Sequence, residues 1–191
     1  MVLCCCCCAL PSQICRSVLP STYTANMEYT PLSFVPRKGC IMNNASAEIA
    51  SAAALGDKIR LFTVNPFGCP DSQPRCEPTP QRQLESVELK WQRASTKAFK
   101  PTRFTTFSAM CWLYARDVYA ALRPPRPIGT IVAAVCGSPD EPFLSSDALA
   151  KCEDPAQPYP RGSSRFWNGM LHPLVNTTIF GAIWYQVRPV L

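Results

Sequence analysis

Hydrophobic and polar residues follow two different patterns along the chain. Residues 128–135 and 179–185 are runs of β-branched and small apolar residues, which are typical of strands buried on both faces of a sheet. A strand is also predicted over 59–64, and the alternation over 86–91 predicts a strand with one exposed face. Because helical segments separate these strands, the pattern predicts an α/β fold with a parallel sheet.

Two segments carry the residue pattern of helices. Residues 45–55 are rich in alanine, and Gly56 is expected to cap the C-terminal end of that helix. Residues 107–122 have the best helical pattern, and Arg123 followed by two prolines ends it. The apolar residues expected to form its core-facing stripe are Met110, Leu113, Tyr114, Val118 and Ala121.

The first 40 residues show no sustained periodicity. Several prolines interrupt them, and Pro20 would deprive a central strand of a hydrogen-bond donor. We therefore expect residues 1–25 to be an irregular or foreign leader, joined to one domain over residues 26–191.

Twelve cysteines are present, and five of them form the uninterrupted run 4–8. No set of spaced disulfides explains such a run. Four interpretations remain open: a signal-peptide core without the usual basic start, a palmitoylated anchor, a metal-binding tract, or misread low-complexity coding sequence. The other cysteines show no C-x-x-C spacing of a metal site.

The composition permits one domain with a hydrophobic core, since 47% of the 191 residues are hydrophobic. The 20 prolines and the 17% of charged residues are unusual for a compact domain. The net charge is +6, but the basic residues are spread through loops, and the weak cluster over 90–103 is the only candidate for a nucleic-acid interface. We therefore expect no nucleic-acid partner.

The segment from residue 164 to residue 186 reads SRFWNGMLHPLVNTTIFGAIWYQ. It resembles a signature segment of the sialate O-acetylesterase family, and the resemblance stops where Val187 and Arg188 replace a glycine and a glutamate of the family. Further segments that resemble the family, in the same order along the chain, are 44–50, 58–64, 107–119 and 127–143. Five ordered segments are a more specific signal than one short motif.

The resemblance implies a flavodoxin-like, SGNH-hydrolase-like core with three layers, of which this chain would contain a truncated front portion. It also implies a carbohydrate esterase that removes O-acetyl groups from sialic acids with a serine nucleophile and a histidine base. Such a serine esterase needs no metal and no organic cofactor. The implied partner is an O-acetylated sialic acid or a related acetylated glycan, no membrane partner is expected, and the implied location is secreted or lysosomal.

The resemblance further assigns the site residues. The family serine lies in a G-Q-S-N-M motif, and matching its Asn-Met to Asn26 and Met27 places Ala25 at the nucleophile position. The family histidine lies in a D-x-H-like motif beyond the matching segments, whereas His172, the single histidine here, is expected to be a packing residue. The candidates for the oxyanion hole are Cys136, Gly137 and Gln186. Because Ala25 has no hydroxyl, we expect a catalytically inactive chain.

A different interpretation is a noncatalytic fragment that binds a glycan or a partner chain, since a truncated sheet would expose a strand edge that recruits one. A third interpretation is that no stable protein forms. Two N-x-S/T triplets, at Asn44 and Asn176, are candidates for glycosylation if the chain enters the secretory pathway.

Overall fold

The computed structural model describes residues 2–7, 45–65, 79–99, 107–135, 141–151 and 164–186 of the chain. The strands in these ranges are β1 (Val2–Cys7), β2 (Ile59–Val64), β3 (Val87–Arg93), β4 (Ile128–Val132) and β5 (Gly181–Gln186). The α-helices there are α1 (Ala45–Ala52), α2 (Ala109–Ala121) and α3 (Ser146–Leu149). Short 3₁₀ turns cover Ala53–Leu55, Thr96–Phe99, Glu141–Phe143 and His172–Leu174, and Trp167–Leu171 form a π-helical turn.

These strands form one sheet in the order β3-β2-β4-β1-β5. β2, β4, β1 and β5 are parallel to one another, whereas β3 runs antiparallel to β2 at one edge. The predicted α/β fold with a parallel sheet is therefore confirmed, with the addition of one antiparallel edge strand. An antiparallel neighbour needs no helical crossover between the two strands.

The irregular leader expected over residues 1–25 is wrong at its beginning, because β1 is an interior strand of the sheet. It pairs with β4 on one side and with β5 on the other, and Leu3 is level with both Ile131 and Ala182. Cysteine is a small apolar residue, so an unbroken cysteine run is compatible with a strand that has neighbours on both sides. The boundary predicted between residues 25 and 26 lies outside the described residues.

One face of the sheet is covered by α1, α2 and the turn Thr96–Phe99. Its core centres on Trp112, which is fully buried and lies edge-on to Phe99 with ring centroids 5.0 Å apart. Phe107 completes the aromatic cluster at 6.4 Å from Phe99. The strand residues in this core are Ile59, Leu61, Ile128 and Val132.

The opposite face is covered by the turn Glu141–Phe143 and by the helical segment that includes Trp167–Leu171. The side chains that fill this second core are Phe62, Val64, Ile131, Ala133, Phe143, Phe166 and Met170. Helical segments therefore lie on both sides of the sheet, and the three-layer architecture implied by the resemblance is confirmed.

The core-facing side of α2 agrees only in part with the stripe that the sequence pattern predicts, because Met110, Leu113 and Val118 pack against the core as expected but the other two stripe residues do not. Tyr114 is 43% exposed and Ala121 is also exposed, whereas Cys111, Trp112 and Ala115 are fully buried. Apolar residues surround most of this helix, so periodicity alone does not distinguish two neighbouring faces. Burial of Trp112, the largest side chain of the helix, decides the orientation.

A charged residue of α1 ties the two helices together. Glu48 accepts a hydrogen bond from Trp112 Nε1 at 2.7 Å and forms an ion pair with Arg116 through its other carboxylate oxygen. Burial alone would lower the pKa of Arg116, but hydrogen bonds to Asp117 and Glu48, together with their negative charges, raise it above its ordinary value. One carboxylate thus provides the acceptor for a buried indole N–H and fixes α1 on α2.

Gly56 ends the first helical segment, as the sequence predicts, but without a left-handed conformation. Its φ angle is −58°, and its N–H donates to the carbonyl of Ala53. A Cβ atom at this position would lie 2.8 Å from the carbonyl oxygen of Ala94. Glycine is therefore needed here because two backbone segments approach closely.

Candidate functional site

The carboxyl ends of the parallel strands form one edge of the sheet, and open α/β sheets bind their ligands at that edge. β2 ends there at Val64, β4 at Val132, β1 at Cys7 and β5 at Gln186. The register places Val132 level with Cys4, and Gln186 level with Cys7. β5 therefore extends farther than β4 at this edge.

The predicted oxyanion residues belong to this same edge. Gln186 is the last residue of β5. Residues 133–135 follow β4 towards the same height, but the next residues, Cys136 and Gly137, lie outside the described part of the chain, as does Ala25. Two strand spacings of about 4.8 Å separate β4 from β5, so their backbones are roughly 10 Å apart. The assignment of an oxyanion hole to these residues remains a prediction.

An aromatic contact links the segment after β4 to β5. Phe143 lies edge-on to Trp184 with ring centroids 5.7 Å apart, and it packs against Phe166 at 5.0 Å. Phe143 is buried, whereas Trp184 is 49% exposed. The turn Glu141–Phe143 is thereby held beside β5, near the carboxyl edge, and one ring of the contact remains open to solvent.

His172 joins two segments of the chain through its imidazole. Its Nδ1 lies 2.7 Å from the carbonyl oxygen of Gln81, which can only accept, so Nδ1 carries the hydrogen and donates it. The N–H of Gln81 in turn donates to the carbonyl of Asn168 at 2.9 Å. His172 also lies edge-on to Trp167 at 6.1 Å. The hydrogen bond and the partial burial predicted for His172 are confirmed, and its role as a packing residue remains a prediction.

Two buried hydroxyls close to the carboxyl edge were not indicated by any motif. Among the described side chains, Thr63 and Ser86 have hydroxyl oxygens that are buried without a hydrogen-bond partner. Thr63 is the residue before the last in β2, and Ser86 immediately precedes β3. Buried unpaired hydroxyls are uncommon in folded proteins. For Thr63, the available signal was a hydroxyl residue between the apolar residues Phe62 and Val64 of β2.

Two features of the chain bear on its cellular compartment. Cys111 is buried in α2 and disulfide-bonded, and its partner lies outside the side chains that the structure describes. Asn176 is exposed in the turn that follows His172–Leu174, so its glycosylation triplet is open to solvent. Asn44, the other candidate, lies outside the described residues.

Within the described ranges, no group of three or more His, Cys, Asp or Glu side chains is arranged to hold a metal ion. None of the helices in the same ranges combines the length and the apolarity needed to cross a bilayer.

Comparison with known proteins shows how this chain is related to others, although no family model matches it. It is 33% identical over 151 residues to the sialate O-acetylesterase of Homo sapiens, an alignment that covers 75% of this chain and 27% of the human protein. It is 28% identical over 178 residues to the sialate O-acetylesterase of Rattus norvegicus, with 75% of this chain and 31% of the rat protein covered. The chain is related to the sialate O-acetylesterase family.

The chain spans about a quarter to a third of the length of these sialate O-acetylesterases. The crystal structure of a carbohydrate acetylesterase from Xanthomonas citri matches its fold with a TM-score of 0.62 at 20% identity. That match covers 97% of this chain and 32% of the bacterial one. The bacterial structure supports the fold, and the two mammalian sequences confirm the resemblance to the sialate O-acetylesterase family.

The structure gives a physical role to three residues in the segments that resemble the sialate O-acetylesterases. Glu48 lies in the segment 44–50, whereas Trp112 and Arg116 lie in the segment 107–119. The carboxylate of Glu48 contacts both of these side chains. These three residues of the family-like segments therefore hold α1 on α2, and they contribute no group to the carboxyl edge.

Proposed function

We propose that this chain contains the part of a sialate O-acetylesterase fold that binds an acetylated glycan, and that the 191-residue chain by itself does not hydrolyse the ester. The names of its relatives support an O-acetylated sialic acid or a related acetylated sugar as the ligand. The contact between Phe143 and Trp184 carries the proposal, because it holds two family-like segments together at the carboxyl edge. There, the half-exposed ring of Trp184 offers an apolar surface to a sugar ring.

The acetyl carbonyl is proposed to meet backbone N–H groups at Cys136, Gly137 and Gln186. A backbone N–H does not depend on the side chain, so the cysteine that replaces a family glycine at position 136 leaves this donor in place. In a complete esterase, one such donor stabilises the transition state by about 3 kcal/mol. These groups would orient an acetyl ester without cleaving it.

Cleavage needs a nucleophile and a base in addition to these donors. Ala25, at the expected nucleophile position, has no hydroxyl with which to form an acyl intermediate. His172 is the only histidine in the chain, and it lies in the segment 164–186 and not in the motif that holds the family histidine. Without a serine at position 25 and a base beside it, the covalent route is lost, and binding without turnover is the expected behaviour.

The compartment proposed for this function is the secretory pathway, as a secreted or lysosomal protein. The disulfide at Cys111 supports it, because disulfides persist in oxidising compartments and are rare in the cytosol. The exposed triplet at Asn176 is a second supporting feature, since glycosylation of such triplets occurs on surface positions of secreted proteins.

A second candidate function is the binding of a partner chain instead of a glycan. The observation that favours it is the solvent exposure around β5, where the side chain of Phe180 is 92% exposed. An exposed apolar edge strand is a site at which another polypeptide adds. The two candidate functions therefore differ in their ligand, which is an acetylated glycan in the first and another polypeptide in the second.

The test uses one O-acetylated sialoside and its unacetylated counterpart. Calorimetric titration measures binding, and NMR measures the release of acetate from the same mixture. Saturable binding of the acetylated compound without acetate release is the expected result. Acetate release would contradict the absence of hydrolysis, and a failure to bind the acetylated compound would contradict the glycan-binding function.

A pair of exposed tryptophans provides the matched control. Trp184→Ala is expected to weaken sialoside binding by about tenfold or more, because it removes the apolar surface at the carboxyl edge. Trp91→Ala alters a ring of similar exposure, 47% against 49%, on the antiparallel strand β3 at the opposite edge of the sheet. It should bind the sialoside as the unmodified chain does.

A further inference from the structure

Cys111 is cross-linked inside a packed core. It lies in the first turn of α2, it is fully buried, and it is disulfide-bonded. The Cα atoms of two bonded cysteines lie about 4.4–6.8 Å apart. The partner of Cys111 therefore belongs to a segment that packs directly against this turn of α2.

The height of Cys111 above the sheet follows from the connection between α2 and β4. α2 ends at Ala121, β4 begins at Ile128, and the helix packs on the strand, so it runs back along it. From Ala121 to Cys111 the helix rises roughly 15 Å. From Ile128 to Val132 the strand rises roughly 13 Å. Cys111 is therefore level with the end of β4, and Val132 belongs to the same core cluster.

The register of β1 places a cysteine on this face of the sheet at the same height. Cys4 is level with Val132 of β4 on one side and with Ile183 of β5 on the other. Val132 lies in the core beneath α2, and Ile183 packs against that core. Residues level with one another in neighbouring strands share a face, and successive residues alternate between the two faces. Cys4 therefore occupies a position on the α2 face, whereas Cys5, level with Trp184, occupies one on the opposite face.

We propose that Cys4 is the disulfide partner of Cys111, so that a covalent bond joins β1 to α2. The bond forms when the two thiols are oxidised by a small-molecule disulfide such as oxidised glutathione. The two sulfurs join in a new S–S bond, and the two electrons and two protons that the thiols lose pass to the oxidant, which becomes two thiols. The closed loop contains about 100 residues, and closure of a loop of that length restricts the unfolded chain. The bond therefore helps to hold β1 in its place between β4 and β5.

Trypsin provides a direct readout, because it separates the two cysteines into different peptides. Cleavage after arginine releases residues 1–16 and residues 104–116, and Cys111 is the only cysteine of the second peptide. The full chain is refolded in a glutathione redox buffer and its free thiols are alkylated. It is then digested without reduction under mildly acidic conditions, where exchange between disulfides is slow. Mass spectrometry is expected to detect the two peptides joined to each other, with fragmentation locating the bond at Cys4.

Neighbouring cysteines on opposite faces of β1 supply the variant and its matched control. Cys4→Ala should abolish the link to Cys111 and leave Cys111 open to alkylation once the chain is unfolded in urea. Cys5→Ala should retain both the link and the protection of Cys111. Circular dichroism verifies that both variants fold. If Cys4→Ala does not fold, the fragment masses of the unmodified chain decide the pairing.

Three outcomes overturn the proposal. The first is a bond from Cys111 to any cysteine other than Cys4, and the second is alkylation of Cys111 in the unmodified chain. The third is equal protection of Cys111 in the two variants. None of these outcomes depends on the binding of a glycan, so the pairing and the proposed function can fail separately.

Discussion

Phe143 lies edge-on to Trp184 with 5.7 Å between the ring centroids, and this contact joins the turn after β4 to the edge strand β5. β4 and β5 are not neighbours in the sheet, because β1 lies between them. Edge-to-face aromatic pairs contribute roughly 0.5–1.5 kcal/mol beyond the burial of their area. Backbone hydrogen bonds link β4 to β5 only through β1. The contact between Phe143 and Trp184 therefore adds a direct side-chain link between the turn after β4 and β5.

Replacement of Phe143 tests how much this contact stabilises the fold. Phe143→Ala is expected to lower the free energy of unfolding by about 3–5 kcal/mol, because a large side chain that is 2% exposed leaves a cavity beside two rings. Urea unfolding followed by tryptophan fluorescence measures this change. Phe180→Ala removes the same side chain from a position that is 92% exposed, and it should stay within about 0.5 kcal/mol. Similar losses in both variants would contradict the role assigned to Phe143.

The positions of the strands were predictable where their residues were varied and apolar, as in β4 and β5. The burial predicted on both faces of 179–185 is wrong, because β5 is the last strand of the described sheet and Phe180 and Trp184 are exposed. The position of β1 was not predictable, because identical cysteines show no alternation and are compatible with several unrelated interpretations. The burial of Trp112 that orients α2 was not predictable either, since the acceptor of its indole N–H is Glu48, which lies 64 residues away along the chain. A local pattern carries no information about a contact of that kind.

The candidate site shows the same division between local and long-range information. The carboxyl edge was predictable, because parallel strands bring their carboxyl ends together and Gln186 ends one of them. The packing of Phe143 on Trp184 was not predictable, since it depends on the strand order that inserts β1 between β4 and β5. Hydrogen bonding of His172 was expected from residue type, but its partner Gln81 was not.

Glu48 provides a test of the contact between α1 and α2. Glu48→Ala is expected to lower the free energy of unfolding by about 1–3 kcal/mol, because the N–H of the buried Trp112 loses its acceptor. Glu48→Gln retains an oxygen that can accept this hydrogen bond, so it should lower the free energy of unfolding by less than Glu48→Ala does. Chemical denaturation of the three chains measures both effects.

The control for Glu48 is an ion pair on the surface. Asp57→Ala removes the partner of Arg93, and the two side chains of this pair are 69% and 68% exposed. Exposed pairs of this kind contribute at most about 1 kcal/mol. If Asp57→Ala lowers the free energy of unfolding as much as Glu48→Ala does, then the burial of Trp112 does not determine how much stability Glu48 contributes.

Two glycines allow a test of close backbone packing. Gly56→Ala is expected to destabilise the protein by about 1–3 kcal/mol, because its Cβ would meet the carbonyl oxygen of Ala94 at 2.8 Å. At Gly181 an added Cβ finds no atom within 4 Å, so Gly181→Ala should be neutral or slightly stabilising, by up to about 1 kcal/mol. Thermal melts of the two variants decide the matter. An unchanged melt for Gly56→Ala would mean that the Ala94 segment moves aside without cost.

Restoration of the expected nucleophile tests the absence of catalysis. A triple variant with Tyr23→Gly, Thr24→Gln and Ala25→Ser introduces the start of the family motif, and we expect it to release no more acetate from an O-acetylated sialoside than the unmodified chain does. The reason is that a serine hydroxyl also needs a base, and the single histidine, His172, lies in the segment 164–186 and not in the motif that holds the family histidine. If the triple variant does release acetate, His172→Ala is added to it. Loss of the new activity on that addition would identify His172 as the base and contradict the packing role, whereas persistence of the activity would require a base other than histidine.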